Sequence, residues 1–332
     1  MGQGGDANAV PNEFSLIEHL FEPLAGPEGL GLQDDAAVFN PRTGYDLVLT
    51  KDAIAEGRHY LPGDPADTVA KKLLRVNLSD LAAKGATPRG YLLSCAWSGY
   101  GSLDWMQAFA AGLKADQAEF GIRLWGGDTI KVEGPSVFSL TAIGEVPSGQ
   151  MVTRAGAAVG DDLWITGTVG DAALGLLVAQ GQCEDVVGEK DRDYLINRYR
   201  IPQPPVAFGS ELCGIASGAL DVSDGLLGDL EHLCAVSHVG ARIDRSAIPL
   251  SEAFSKCLAS TEDNWRLAFG GGDDYQILFA APRAQRTAIQ NKARQAEVQV
   301  TRIGHLASEQ AVVVLDEAGQ AVDVAHAGFT HF

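Results

Sequence analysis

Aspartate recurs beside small residues at six places: Asp34-Asp35-Ala-Ala, Thr50-Lys51-Asp52, Asn77-Leu-Ser-Asp80, Gly126-Gly127-Asp128, Asp221-Val-Ser223-Asp224-Gly and Gly270-Gly-Gly-Asp273-Asp274. Any one of these would serve as a helix cap or a turn. Six together exceed what capping needs, and their chemistry is that of hard oxygen donors. Magnesium takes oxygen ligands, sheds water reluctantly, and is held by one or two carboxylates together with substrate phosphates rather than by a closed protein cage. Dispersed aspartates suit that arrangement. The chain carries 43 acidic and 25 basic residues, a net charge of −18, so it repels a phosphorylated substrate unless divalent cations stand between carboxylate and phosphate. Several magnesium ions are therefore expected.

Other chemistries find little support. GxxxxGK[ST] is absent, as are the HRD and DFG motifs of protein kinases, so phosphoryl transfer would need different machinery. No HExxH or close histidine pair suggests zinc, and Ser79 and Ser223 lack a G-x-S-x-G elbow. Among the histidines, His59 stands out seven residues after Asp52 in the polar stretch Glu56-Gly-Arg-His59-Tyr-Leu-Pro62, where a surface histidine is the plain alternative. Glycines beside the aspartates are expected to let backbone N–H groups approach phosphate oxygens.

The elements that must position these residues follow an α/β pattern. Phe14, Ile17, Leu20 and Phe21 recur at helical spacing after a small, polar start expected to be flexible over 1–12. Strands are predicted over 46–50, 91–97 and 122–125, the last leading into Gly126-Gly127-Asp128, and helices over 65–84 and 103–120. The stretch 136–146 completes a first unit. A segment rich in Gly, Pro, Ser and Ala over 147–162 marks a boundary, giving domains over 13–148 and 149–332. In the second, strands are predicted over 163–166, 219–222, 275–280 and 311–315, and helices over 172–179, 191–200, 206–217, 225–236 and 250–258.

Composition sets the remaining bounds. The acidic balance argues against nucleic-acid binding. No apolar run reaches the roughly 18 residues of a membrane span, and 1–11 contains neither a basic nor an apolar signal region, so a cytoplasmic protein is expected. Five widely spaced cysteines with no CxxC read as thiols in a reducing compartment.

In order, spacing and total length these motifs resemble the thiamine-monophosphate kinase family, within the superfamily that includes aminoimidazole ribonucleotide synthetase. The resemblance runs nearly end to end, from Asn12-Glu-Phe-Ser-Leu-Ile17 through Gly57-Arg-His59-Tyr-Leu-Pro62, Thr153-Arg154-Ala-Gly and Gly271-Gly-Asp-Asp-Tyr275 to Gly328-Phe-Thr-His-Phe332. It implies a two-domain α/β (α+β) fold whose N-terminal sheets pair in a homodimer. The implied activity is ATP-dependent phosphorylation of thiamine phosphate to thiamine diphosphate, the last step of that cofactor's synthesis, by direct transfer without a covalent nucleophile or an obligatory base. By position, Asp35, Asp52, Asp80, Asp128 and Asp221 would hold magnesium, assisted by Thr50 and Asp224. Gly127, Asp128, Arg154 and Ser223 would contact ATP, His59 and Asp273 would meet thiamine phosphate, and His326 would lie against its aromatic ring. The sequence departs from the family's common pattern at Gln33, Lys51, Asp273 and His326. Two alternatives stand beside this reading: a synthetase of the same fold acting on another small acceptor, and a non-catalytic module that binds metal and nucleotide.

Overall fold

A computed structural model of the chain describes residues 12–98, 102–182, 188–259 and 264–324. It divides into two compact units. One takes in the chain to Leu81 together with Pro88–Glu145, and the other takes in Ala82–Thr87 and everything from Val146 onward.

In the first unit Asn12 caps α1 (Glu13–Leu16), its side chain accepting the Ser15 N–H at 3.0 Å, and a π-turn over Ile17–Phe21 continues the helix. There follow β1 (Tyr45–Ala55), α2 (Ala66–Ala83), β2 (Thr87–Ser98), α3 (Leu103–Phe120), β3 (Arg123–Val132) and β4 (Val137–Pro147). Both helices occupy the stretches their apolar periodicity predicts. α3 starts where the Ser102 hydroxyl accepts the Trp105 N–H and stops at Gly121, which takes the left-handed conformation. The sheet runs β1-β4-β2-β3, with β2 and β3 parallel.

One face of this sheet carries an aromatic core in which Trp97, Phe109 and Phe138 meet with ring centres 4.6 to 5.5 Å apart. Beneath it the buried Arg75 guanidinium grips both oxygens of Asp116 at 2.8 Å, tying α2 to α3. On the other face Leu47, Leu49, Leu92 and Ile130 are exposed, alternating with buried Val48 and Leu93.

β3 corrects one expectation. The strand does not end at Trp125 but runs through Gly126-Gly127-Asp128 to Val132, pairing Gly127 with Leu93 and Asp128 with Ser94. A Cβ on Gly127 would lie 1.8 Å from the Leu93 carbonyl oxygen, so this glycine makes room for the neighbouring strand.

The second unit contains β5 (Asp162–Thr166), α4 (Asp171–Ala179), α5 (Glu189–Arg200), α6 (Val206–Gly209), β6 (Gly218–Asp221), α7 (Leu226–Ser237), β7 (Gly240–Asp244), α8 (Glu252–Leu258), α9 (Trp265–Gly270), β8 (Ile277–Ala281), α10 (Arg286–Gln295), β9 (Val300–Ala307) and β10 (Val312–Leu315). Its sheet runs β10-β7-β9-β5-β8-β6, with only the β10–β7 pairing parallel. β5, β6 and β8 are buried at every position, because apolar clusters cover both faces. Leu163, Ile165, Leu220 and Leu278 face one cluster; Trp164, Ala219, Ile277 and Phe279 face the other. The second cluster also takes in Ala82 and Ala83, and the Lys84 ammonium donates to the Ala219 carbonyl at 2.8 Å.

The helix expected over 206–217 is shorter: α6 ends at Gly209 and gives way to a 3₁₀ turn over Ser210–Leu212. Gly209 lies against α2, with room for no Cβ beside Ala82, so the backbone turns there to keep that contact.

Candidate functional site

In the first unit the predicted residues gather in two places. A cleft of about 700 Å³ is lined by Asp34, Asp35, Lys51, Gly127 and Asp128, with Phe39 stacked on Trp125 at 4.5 Å between ring centres. Asp34, Asp35 and Asp128 are exposed. The Asp34 carboxylate accepts the Asp35 N–H at 2.8 Å and that of Asp128 accepts the Thr129 N–H at 2.9 Å, which fixes each side chain against its own backbone. On the strand's other face the Thr129 hydroxyl accepts the Trp97 indole N–H at 2.7 Å. The core thus holds Thr129 from beneath while Asp128 projects on the cleft side.

The second place lies where β1 meets α2. Thr50 Oγ1 donates to Asp80 Oδ2, and the Asp52 N–H donates to Asn77 Oδ1 at 3.1 Å. Asn77 is itself fastened by donating to the Leu73 carbonyl at 2.9 Å, one turn back along α2. Thr50, Asp52 and Asp80 are brought together by this strand–helix contact. His59 follows β1, and its Nδ1 accepts the Ala55 N–H at 3.1 Å, so the neutral ring carries its proton on Nε2.

In the second unit the chain leaving β6 forms a turn, Val222–Gly225, before α7. Ser223 and Asp224 both direct their backbone N–H groups to one oxygen, Asp229 Oδ2, at 3.0 Å each. Burial pushes the Asp229 carboxyl up to about 6, although these bonds draw it down. A second loop, Gly271–Gln276, lies alongside: the Asp273 N–H donates to the Ser223 carbonyl and the Tyr275 N–H to the Val222 carbonyl, each at 2.8 Å. Gly272 makes that approach possible, with φ +71° and an absent Cβ that would stand 2.5 Å from the Ser223 oxygen. Asp274 points inward, 1 % exposed, and accepts the Gly170 N–H at 2.7 Å and the Ala172 N–H at 3.4 Å at the start of α4. Burial, with Asp171 alongside, pushes its carboxyl up to about 7.

Ser223, Asp224 and Asp273 therefore belong to one hydrogen-bonded pair of loops, and Asp221 ends β6 directly before the first of them. Arg154 stands exposed on the segment between β4 and β5. His326 lies outside the described residues. Among the described residues no three His, Cys, Asp or Glu side chains are close enough to enclose a metal ion by themselves. The donors are oxygens, and a partial shell of carboxylates is what magnesium shared with phosphate requires. Sequence reasoning missed Asp229, which carries a signal that could have found it: an acidic residue in the first turn of an apolar helix, directly after an Asp-rich turn.

Residues 33–146 match the AIR synthase related protein N-terminal domain, and residues 158–317 match the corresponding C-terminal domain. The thiamine-monophosphate kinase of Caulobacter vibrioides is 41% identical over 331 residues, covering 98% of this chain and 92% of the relative. The chain belongs to the thiamine-monophosphate kinase family. The crystal structure of that enzyme from Stenotrophomonas maltophilia superposes with a TM-score of 0.83 at 39% identity, covering 95% of this chain and 99% of the other. A solved complex of AaThiL with AMPPCP and TMP superposes with a TM-score of 0.76 at 28% identity, covering 96% and 97%. Family members of this kind keep both α/β units of the fold described above, which is the expected two-domain architecture.

Proposed function

We propose that this chain phosphorylates thiamine phosphate to thiamine diphosphate at the expense of ATP, and that the residues described above are its site. The observation that carries the reading is the 41% identity, across nearly the whole chain, to a thiamine-monophosphate kinase. AaThiL, whose complex holds AMPPCP and TMP together, supports a site that takes nucleotide and acceptor at once. Residues 13–148 act as the domain that binds nucleotide and metal, and 149–332 form the C-terminal domain.

Asp35, Asp52, Asp80, Asp128 and Asp221, with Thr50 and Asp224, would hold magnesium, whose positive charge lets two phosphorylated anions approach. The chain's own residues orient the reactants. Gly127, Asp128, Arg154 and Ser223 hold the nucleotide; Arg154 is the cation of that set and supplies charge-assisted bonds to phosphate. His59, with its proton on Nε2, donates to the acceptor's phosphate. Asp273 and His326 complete the acceptor side. The attacking phosphate oxygen is already an anion, so positioning and charge neutralisation suffice and no side chain has to remove a proton.

The chain works as a homodimer, a reading supported by the apolar residues on the open face of the first unit's sheet. No described helix is long and apolar enough to cross a membrane. Among the described residues Cys95, Cys213, Cys234 and Cys257 form no disulfide, which supports a reducing cytoplasm.

A coupled ADP assay with thiamine phosphate, thiamine and aminoimidazole ribonucleotide precursors tests the reading. ADP release that requires thiamine phosphate, ATP and magnesium together is expected. Release driven instead by another acceptor makes the chain a synthetase of this fold, and no release with any acceptor makes it a non-catalytic binding module; either would overturn the proposal.

A further inference from the structure

The turn that carries Ser223 and Asp224 is held from below by a residue outside the proposed ligand set. Asp229 sits in the first turn of α7, 4 % exposed, and its Oδ2 alone accepts both the Ser223 and the Asp224 N–H at 3.0 Å. Ordinary capping does not explain this. A capping box reaches back from the third helical residue to the N-cap N–H and satisfies the helix's own donors. The N-cap of α7 is Gly225, so Asp229 passes it by and fastens the two residues before it. Its bonds therefore serve the turn.

The consequence reaches a second loop. The Asp224 N–H and the Ser223 C=O belong to one trans peptide plane and point in opposite directions. Asp229 grips the N–H side of that plane, and the Asp273 N–H grips the carbonyl side at 2.8 Å. One peptide group is thus clamped between a buried carboxylate and the loop that presents Asp273.

We infer that Asp229 is a positioning residue for phosphoryl transfer, setting through the Ser223–Asp224 peptide both the nucleotide-side turn and the placement of Asp273. This rests on the reading that Ser223, Asp224 and Asp273 meet the reactants. Two properties separate it from a merely structural role. Both bonds converge on one oxygen, so asparagine, whose single carbonyl oxygen has two lone pairs, can keep both, whereas leucine can keep neither. Releasing the plane also disturbs two substrate sites at once.

The test compares Asp229→Asn, Asp229→Leu and Asp224→Asn in the full chain, by KM for ATP, KM for thiamine phosphate, kcat, and amide hydrogen exchange across residues 221–229. Asp229→Asn is expected within about threefold of wild type in every parameter. Asp229→Leu is expected to lose about 10- to 100-fold in kcat/KM toward both substrates and to exchange the 223 and 224 amides faster. Should Asp229→Leu not fold, Asp229→Asn still decides: a loss there as large as that of Asp224→Asn means the charge matters rather than the geometry, and overturns the inference. An impaired Asp224→Asn beside an unimpaired Asp229→Leu overturns it too while leaving the site reading intact. A wild-type Asp224→Asn removes Asp224 from the metal shell, and the site reading of this turn and the inference fall together.

Discussion

Asp128 and Asp274 show two opposite uses of a carboxylate. Asp128 is exposed on the cleft side of β3 and held only by its neighbour's N–H, so exchanging its charge leaves the core untouched. Asp128→Asn is expected to lower kcat by about 10²- to 10³-fold while the thermal midpoint stays within a degree or two of wild type. A steady-state assay beside a melting curve checks both halves. His59→Ala is expected to weaken thiamine phosphate binding without changing ATP affinity, as calorimetry would read. Asp274 is enclosed, and its carboxyl is raised from 3.8 to about 7. The folded state therefore binds this proton more tightly than the unfolded chain does. Its stabilising contribution is full below the unfolded value and is lost as pH rises through the folded one. Asparagine keeps an acceptor for Gly170 and Ala172 and never ionises. Denaturant titrations from about pH 5 to pH 8 should show Asp274→Asn gaining stability relative to wild type as pH rises; a pH-independent difference would refute the assignment.

At the scale of elements, β3 is where local sequence misleads. Two consecutive glycines beside an aspartate read as the end of the strand, but the strand passes through them because the Leu93 carbonyl of β2 occupies the space a Cβ would need. Gly127→Ala is expected to cost about 3 kcal/mol or more by forcing β2 and β3 apart, measurable by chemical denaturation. The long helices α2 and α3 were legible because each shows an apolar stripe over five turns with a clear stop signal, Gly85 for one and Gly121 for the other. α10 was not legible: Ile289 is the one large apolar residue among its ten, so no apolar run announces it. β7 and β9 were missed for a related reason. Arg242 and Arg302 interrupt their apolar runs, and their strand character comes from pairing with partners far along the chain. For the site, residue types pointed to the aspartates, but Asp229 and Asp274 act through backbone N–H groups that only the folded loops bring to them.

For the molecule as a whole, the net charge of −18 places phosphorylated substrates in a repelling field. Activity should vanish on chelation with EDTA and return with added magnesium, whereas thermal stability measured without nucleotide should change little, because no described carboxylate group encloses an ion by itself. Recovery of turnover without any divalent ion would remove the metal from the reaction. Leu49 and Ile130, 63 % and 52 % exposed, mark the open sheet face, and Leu49→Lys with Ile130→Lys should convert the proposed dimer to a monomer in sedimentation velocity.

The six residues Ala82–Thr87 belong to the second unit although they precede it in sequence by some sixty positions. Ala82 and Ala83 help fill the layer over Phe208 and Leu212, and Lys84 closes on Ala219. A gene fragment beginning at the apparent linker would express a protein missing part of its own interior, and should be recovered in inclusion bodies. Fusing the missing hexapeptide to the fragment through a short linker, rather than moving the cut, is the route to a soluble half.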